Sequence, residues 1–565
     1  MIAHGLLRGA ASLLIAAGIG SPAMAQAPRL IDPATEGFTY DLLESIALRG
    51  SMKTEELLTA KPWSSQDLAG FLAAVDSMQP TTRDPEVWQA GRLREEVELS
   101  AARAAGHAGV AGLRHLLTVE PRASSHASAG RYELDPLFLP IRRREESGNP
   151  AWAAGGEIHV GYAWLPGGFS AVLDLRGRTN TRNALDYRDP DGDGSLEVRS
   201  AYALWQDSRF LVTAGRLPVE WGSGPLGGVG LTATGPALDG FLARARWGVA
   251  QLTVLSAFLS DERANRLREP DGDTVESSEP PPPAAAPLVN RYFHAHRVDL
   301  RLGDRLTLGI SEMAIVTGVR RRPDLQFLTG LVPYVVAQNS REEIDGGDIN
   351  LGAGLQYRWR LPRRVLLYGE YFANEVFVDN DIGAVLEGLL GRRQNTQGFQ
   401  QGVRWAAPFG WRSVDLEAEV ARMEPFLYLH RGLNTNWRVG GVPLGAPLGP
   451  DNQRALVRLR HYRPAGGGVF RGTAEIAYRE RGFLRITDNV DIQAAGGAPS
   501  IPSDPAEVMW LGTLAAEVWW PRAGGAGIRL KGGRVRTLDN VVGDSVEPID
   551  LELYLSFGPA WDAAF

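Results

Sequence analysis

The chain has no cysteine in 565 residues, which excludes a disulfide framework and any thiolate metal site. Beyond its N-terminal leader it also lacks any uninterrupted apolar run of the ~20 residues that a membrane-crossing helix needs. Positive charge is not in excess. Lys+Arg total 59 against 66 for Asp+Glu, a formal net charge of −7, which argues against nucleic acid as a partner. With charged residues at 22%, the balance does not suggest disorder either. Hydrolase signatures are missing as well. Gly222, Ser223 and Gly224 form only WGSG, not a G-x-S-x-G turn between strand and helix, and no Ser/His/Asp or paired-carboxylate constellation stands out. The expectation is a non-enzyme without a cofactor.

What is present begins with an export signal. Residues 1–25 have a weakly basic start at Arg8, an apolar core from Ala10 to Ile19, and Ala23 and Ala25 around Met24, the layout of a signal peptide cleaved after Ala25. From Phe38 to Leu117 the period is helical. TYDLLESIALRG closes on Gly50, SSQDLAGFLAAVDSM opens with Ser64 or Ser65 as a cap, and EVWQAGRLREEVELSAARAA carries Leu93 and Val97 among charges. Residues 26–125 are therefore expected to form a small helical bundle or plug. A linker at 126–150 then leads into residues 151–565.

There the period becomes two. Val414, Leu416, Ala418 and Val420 alternate with Asp415, Glu417 and Glu419, and Leu355, Tyr357 and Trp359 alternate with Gln356, Arg358 and Arg360. HRVDLRL and DLELYLSF repeat the pattern. An exported chain with many such strands is expected to be an all-β transmembrane barrel with a small N-terminal α-helical domain. About 415 residues at roughly 20–25 per strand and connection give about 16–18 antiparallel strands. A lipid-facing Arg or Lys at the midplane costs roughly 2–4 kcal/mol, so the charged face must line the lumen. Arg358, Arg360, Arg458, Arg460, Arg529 and Lys531 can there neutralise Asp415, Glu417, Glu419 and Glu475, filling the lumen with ion pairs. Trp359, Trp405, Trp519 and Trp520 suit interfacial girdles. Phe565 is the terminal aromatic typical of barrels recognised by the outer-membrane assembly machinery.

Several candidate sites reduce to structure. The carboxylates of Asp186 to Gly194, DYRDPDGDG, resemble calcium ligands, but the spacing is incomplete and a solvated turn is expected. His294 and His296 lack a third metal ligand, so no metal site is expected. Glu312 shares parity with Leu306, Leu308 and Ile310, so a bulge, or a position beyond the membrane band, must re-aim it. Glu370 sits in an equally apolar context, LLYGEYF. Both are expected to pair with lumen arginines such as Arg216.

One stretch anchors a family resemblance. Between Gly215 and Trp247, dense glycines with Pro225 and Pro236 exclude a helix and join two alternating strands. Its Gly215, Arg216, Trp221, Gly222, Gly224, Leu238, Asp239 and Gly240 match the "GR…WGxG" and "LDGF/L" runs of the Wzi-type capsule assembly proteins of bacterial outer membranes. HRVDL at His296–Leu300, GISEMAIV at Gly309–Val316, LLYGEYF at Leu366–Phe372 and GVPLGAPLGPDN at Gly441–Asn452 extend the resemblance in order. The long REPDGDTVESSEPPPPAAAPLVN connection departs from it. The resemblance implies a helical bundle in the periplasm ahead of an outer-membrane barrel. It also implies binding of capsular or exopolysaccharide and a role in organising that layer, with outer-membrane lipids as surroundings. Arg216, Trp221 and Asp239 of the Gly215–Trp247 stretch, with Glu312 and Glu370, are expected in a lumen or structural role. Asn434, Asn436 and Trp437 in HRGLNTNWRVG are the expected sugar contacts, because flat aromatics and planar amides hold sugars. The alternative is a porin-like channel for small solutes, which needs an unfilled, unbalanced lumen.

Overall fold

The computed structural model describes residues 30–31, 44–45, 48, 60–61, 63–64, 115–129, 132–133 and 142–143 of the N-terminal part. From 151 onward it describes all but 165–168, 180–193, 260–261, 264–287, 340–348, 375–395, 431–432, 466–467, 489–500, 521–523, 558–560, 565 and isolated positions. The leader, most of the helical segment, the acidic run after Asp186, most of the proline-rich connection and Phe565 lie outside the described residues.

The wall is one closed antiparallel barrel. Its strands are β1 (His115–Ala129), β2 (Ala151–Trp164), β3 (Phe169–Thr179), β4 (Gly194–Gln206), β5 (Phe210–Leu217), β6 (Leu238–Trp247), β7 (Ala250–Phe258), β8 (Leu288–Leu302) and β9 (Leu306–Val319). They continue with β10 (Ile349–Leu361), β11 (Val365–Asn374), β12 (Gln397–Ala406), β13 (Val414–Met423), β14 (Asn452–Ala465), β15 (Gly468–Arg481), β16 (Glu507–Trp520), β17 (Gly524–Arg536) and β18 (Ile549–Phe557). Short segments Glu262–Arg263, Ser545–Val546 and Trp561–Ala564 extend them. The seam closes where Leu551–Phe557 and Trp561–Ala564 pair with β1. Closure leaves no strand edge, as a hydrocarbon surround demands.

The wall thus begins at His115, upstream of the expected start at Ala151, and residues 115–129 are neither helix nor linker. HLLTVEPRASSHASA carries Pro121 and a run of small polar residues without alternating aliphatics, so its sequence pattern hides a strand that pairs on both sides.

Parity sorts the faces as the alternation predicts. Val298, Ile310, Leu355, Trp359, Val420, Val457, Ile476, Leu514, Leu553 and Leu555 are exposed on the outside, while Arg297, Asp299, Arg358, Asp415, Glu417 and Glu419 are buried inside. The two ends also differ. Tight turns such as Gly248–Val249 and Gly303–Arg305 close one end, and all the long connections lie at the other. Trp247, Trp359, Phe409 and Trp411 are exposed beside the short turns, with Trp405 against Phe409 at 4.9 Å between ring centroids. That is an aromatic girdle at the short-turn end.

Candidate functional site at the long-loop mouth

The lumen is occupied from both ends. From the short-turn end comes the N-terminal segment, whose helical Glu44 accepts from Arg358 Nη1 at 3.0 Å and Arg404 Nη1 at 3.1 Å. Its Leu48 packs with Leu366, Tyr368 and Ala406. Farther along, Ala60–Lys61 pairs with Glu220–Trp221, part of the connection between β5 and β6. That connection turns into the lumen and meets a second one, between β13 and β14. Together they bury Trp221, Val229, Leu231, Phe426, Leu427, Tyr428, Leu429 and Trp437 in one core with inward Leu204, Phe293, Met313 and Phe372.

The glycines of the first connection are explained by proximity. A Cβ at Gly222 would fall 2.5 Å from Gly228 Cα, and one at Gly224 would fall 1.7 Å from Glu419 Oε2. Trp221 is fully buried, its carbonyl accepts from Gln356 Nε2 at 2.8 Å, and Arg297 lies 5.9 Å over its ring. Glu370 also faces the lumen and accepts from the Gly230 backbone N–H at 2.8 Å.

Around this core runs a lattice of ion pairs. Arg404 holds Asp415 at 3.1 Å, Arg460 holds Glu417 at 3.0 Å, and Arg458 holds Glu475 at 2.5 Å. Arg529 bridges Glu517 and Glu552, both at 3.2 Å, and Lys531 also reaches Glu552. Glu419 instead accepts from Tyr368 Oη at 2.7 Å.

Three of the expected lumen residues face outward. Arg216 and Asp239, directly opposite on β5 and β6, share parity with the exposed Val212 and Trp247, and they form a two-pronged pair at 2.7 Å on the outer face near the long-loop end. Glu312 faces outward too, with no bulge in the continuous register of β8 and β9. Its carboxylate lies 3.2 Å from His296 Nε2 and accepts from the Tyr334 backbone N–H at 2.8 Å. The covering Tyr334 belongs to the connection after β9, which folds back over the outside of the wall. Among the described residues, no lumen arginine pairs with Glu312. His294 is engaged separately, with Nδ1 2.9 Å from Ser256 Oγ.

The expected sugar contacts are corrected as well. Trp437 is fully buried, with its Nε1–H donating to the Gly230 carbonyl at 2.9 Å and its ring between Phe293 and Phe372. Asn436 is fully buried and spends its amide on the Ile486 and Asp488 carbonyls at 3.0 and 3.1 Å. Arg291 on β8 staples the turn by donating to the carbonyls of Asn434, Asn436 and Arg438 at 2.6, 2.9 and 3.0 Å. Asn434 is half-buried. The polar composition suggests an exposed loop, but the amides satisfy the backbone of a loop folded inward.

The exposed counterpart is at the same end, where the connections after β13 and β15 meet on Asp451 and the one after β17 ties in through Asn540. The fully buried Asp451 carboxylate accepts from the backbone N–H groups of Ser503 at 2.8 Å and Leu484 at 3.1 Å, and from Ser503 Oγ. Asn540 ties in by donating to the Arg481 and Pro505 carbonyls at 2.9 and 2.7 Å, and its Oδ1 accepts from Arg485. On this rigid hub Phe483 presents its ring, 48% exposed, and the Asp539 carboxylate is 65% exposed. Burial, and then Arg481 nearby, hold the Arg485 guanidinium below its ordinary pKa, while Glu507, Asp488 and Asp451 oppose the shift. An aromatic face, a guanidinium and a carboxylate on one rim, braced by the Asn540 amide, can hold a hydroxylated ring. RGFLRITDN at 481–489 has the composition that directs attention to HRGLNTNWRVG, and was missed because its neighbours on the hub come from distant segments.

No protein-family model and no curated protein matches the chain. Among solved structures it is similar to Wzi of Escherichia coli, described as an outer-membrane, carbohydrate-binding β-barrel involved in group 1 capsule assembly. The identity is 14% and the TM-score 0.53, over 91% of this chain and 97% of that one. It is less similar to two Pseudomonas aeruginosa proteins, OpdK and OccK11. Their identity is 12% in both cases, with TM-scores of 0.41 and 0.40, over 79% of this chain and 99% and 96% of theirs. The fold is that of an outer-membrane β-barrel.

Proposed function

We propose that the protein is a non-enzymatic outer-membrane barrel that binds a surface polysaccharide at its long-loop mouth and helps retain a capsule or exopolysaccharide layer. The long connections then face the exterior, and the short turns and N-terminal segment face the periplasm. The observation that carries this reading is the filled lumen. Trp437 is buried against Gly230 from one side, and Glu44 sits between Arg358 and Arg404 from the other. A barrel packed in this way has its accessible chemistry at the rim, where Phe483 and Asp539 are exposed and Arg485 is held by Asn540. Its similarity in fold to a carbohydrate-binding barrel supports the reading. No cofactor and no metal enter it.

The test joins two measurements. Cells lacking the protein should still make the polymer but retain less of it, and purified protein should bind that polymer while conducting poorly in planar bilayers. Unchanged retention together with robust solute flux would establish the porin-like channel instead.

A further inference from the structure

The connection after β9 places chemistry on the outside of the barrel that polysaccharide binding does not use. Its two short helices, α1 (Leu325–Leu328) and α2 (Tyr334–Asn339), lie against outward-facing residues of β8, β9 and β10. Phe327, Tyr334 and Ala337 pack with Ala314, Val316, Ile349 and Leu351. Phe327 stacks on His294 at 5.9 Å, and Tyr334 lies tilted against His296 at 4.4 Å between centroids. Tyr292 Oη, also on the outside, donates to the Arg321 carbonyl at 2.8 Å.

The height of this ledge follows from strand geometry. Glu312, beneath Tyr334, is six positions along β9 from Leu306 at the girdle end. At about 3.3 Å per residue and a tilt of about 40° that is roughly 15 Å up the wall, and Gly318 is roughly 30 Å up. With an apolar band about 25 Å tall, the ledge covers the half of the wall that faces the outer leaflet and reaches the headgroups.

Its own outer surface is two-toned. Leu325 and Val336 are 71% and 55% exposed. Arg320, Arg321 and Arg322 are consecutive, and Arg320 and Arg322 are exposed with no ion-pair partner among the described residues. Arg321 is half-buried and donates to the Thr317 carbonyl at 3.2 Å. Asp324 caps α1, accepting from the Gln326 N–H at 3.0 Å. Guanidiniums match phosphate oxygens in pairs, and a basic cluster at a membrane surface attracts anionic headgroups.

We propose that this ledge docks the phosphate-bearing glycolipid of the outer leaflet, with Arg320 and Arg322 on its phosphates and Leu325 and Val336 among its acyl chains. The proposal rests on the outward placement of the long loops but not on polysaccharide binding.

The experiment measures binding of fluorescent lipopolysaccharide and its dephosphorylated form to detergent-purified full-length protein. The wild type should prefer the phosphorylated lipid. Two charges worth about fivefold each predict about twenty-five-fold weaker binding for R320Q/R322Q, which should no longer distinguish the two lipids. L325S/V336S should weaken both forms alike, inorganic phosphate at millimolar concentration should displace neither, and polymer binding at the mouth should be unchanged in both variants. Equal wild-type affinity for the two lipids would overturn the proposal without any variant having to fold. So would displacement by inorganic phosphate, or wild-type lipid binding by R320Q/R322Q. A changed oligomeric state in R320Q/R322Q with lipid binding intact would make the ledge a contact between copies of the chain and also overturn it.

Discussion

The Nε1–H of Trp437 donates to the carbonyl of Gly230 at 2.9 Å, joining the two connections that fill the lumen from the long-loop end. The indole is fully buried between Phe293 and Phe372, so Trp437→Ala removes a large core side chain and should cost about 3–5 kcal/mol. The expected outcome is a lower midpoint for the heat-dependent gel shift, with greater conductance in planar bilayers as the loops loosen. A midpoint equal to wild type would mean that the indole is not a structural anchor.

Much of the wall was legible in the sequence, and the reasons are physical. A charge facing lipid is costly, so Arg358 and Glu417 could only alternate with Leu355 and Leu416 if one face is lumen. The parity of Glu312 with Ile310 also pointed outward, although the expectation drawn from it was a re-aimed carboxylate paired with a lumen arginine. What the sequence could not supply was the cover: His296 and the backbone of Tyr334 satisfy the carboxylate without any bulge, and Tyr334 arrives from a connection with no marked period. The same holds for Asn436 and Trp437, whose composition suits an exposed sugar site. Only their distant partners, Gly230, Ile486 and Arg291, reveal a loop turned inward. β1 was missed because Pro121 and its small polar neighbours carry no alternation.

Glu44 offers a test of whether the N-terminal segment is held at the short-turn end. Its carboxylate lies between two arginines that are buried or nearly so, and removing one member of a buried ionic set leaves uncompensated charge, at roughly 3–5 kcal/mol for an isolated pair. Arg404 keeps Asp415, so Glu44→Gln should cost less than that, about 1–3 kcal/mol. Faster proteolysis of the N-terminal segment, with the barrel core still resistant, is the expected result. Unchanged cleavage would show that Glu44 does not hold the segment in place.

Neighbouring positions on β13 separate the two faces of the wall. Leu416 shares the outward parity of Val420 and Glu417 faces the lumen. Leu416→Arg should lower stability by about 2–4 kcal/mol and impair assembly. Glu417→Gln should be milder than that: Arg458 keeps Glu475, and although Arg460 loses its carboxylate at 3.0 Å, the amide remains an acceptor for it. Folded yield from matched expression decides, and equal damage from the two would reverse the assigned faces.

Arg216 and Asp239 belong to the motif that organises the chain, yet their pair is on the outer face, with the Asp239 side chain 53% exposed. Exposed pairs contribute about 0–1 kcal/mol. Arg216→Ala should therefore shift the unfolding midpoint less than Trp437→Ala does, and the shift should shrink further in high salt. A loss as large as that of Trp437→Ala would mean that the pair is shielded from solvent in the membrane.

The rim and the buried loop beneath it predict different responses to polymer. Phe483 is half exposed on a hub held by the buried Asp451, and loss of one stacking aromatic is worth about 1 kcal/mol, or roughly fivefold in affinity. Phe483→Ala should therefore weaken binding of the purified polymer about fivefold while leaving the heat-dependent gel shift at its wild-type midpoint. Arg485→Ala should weaken binding further, because it removes both a donor and the contact to Asn540. Trp437→Ala should reverse the pattern, lowering the midpoint first and affecting binding only as the hub loosens through Asn436 and its bonds to Ile486 and Asp488. Wild-type affinity in both Phe483→Ala and Arg485→Ala, measured on folded protein, would remove the sugar site from this rim.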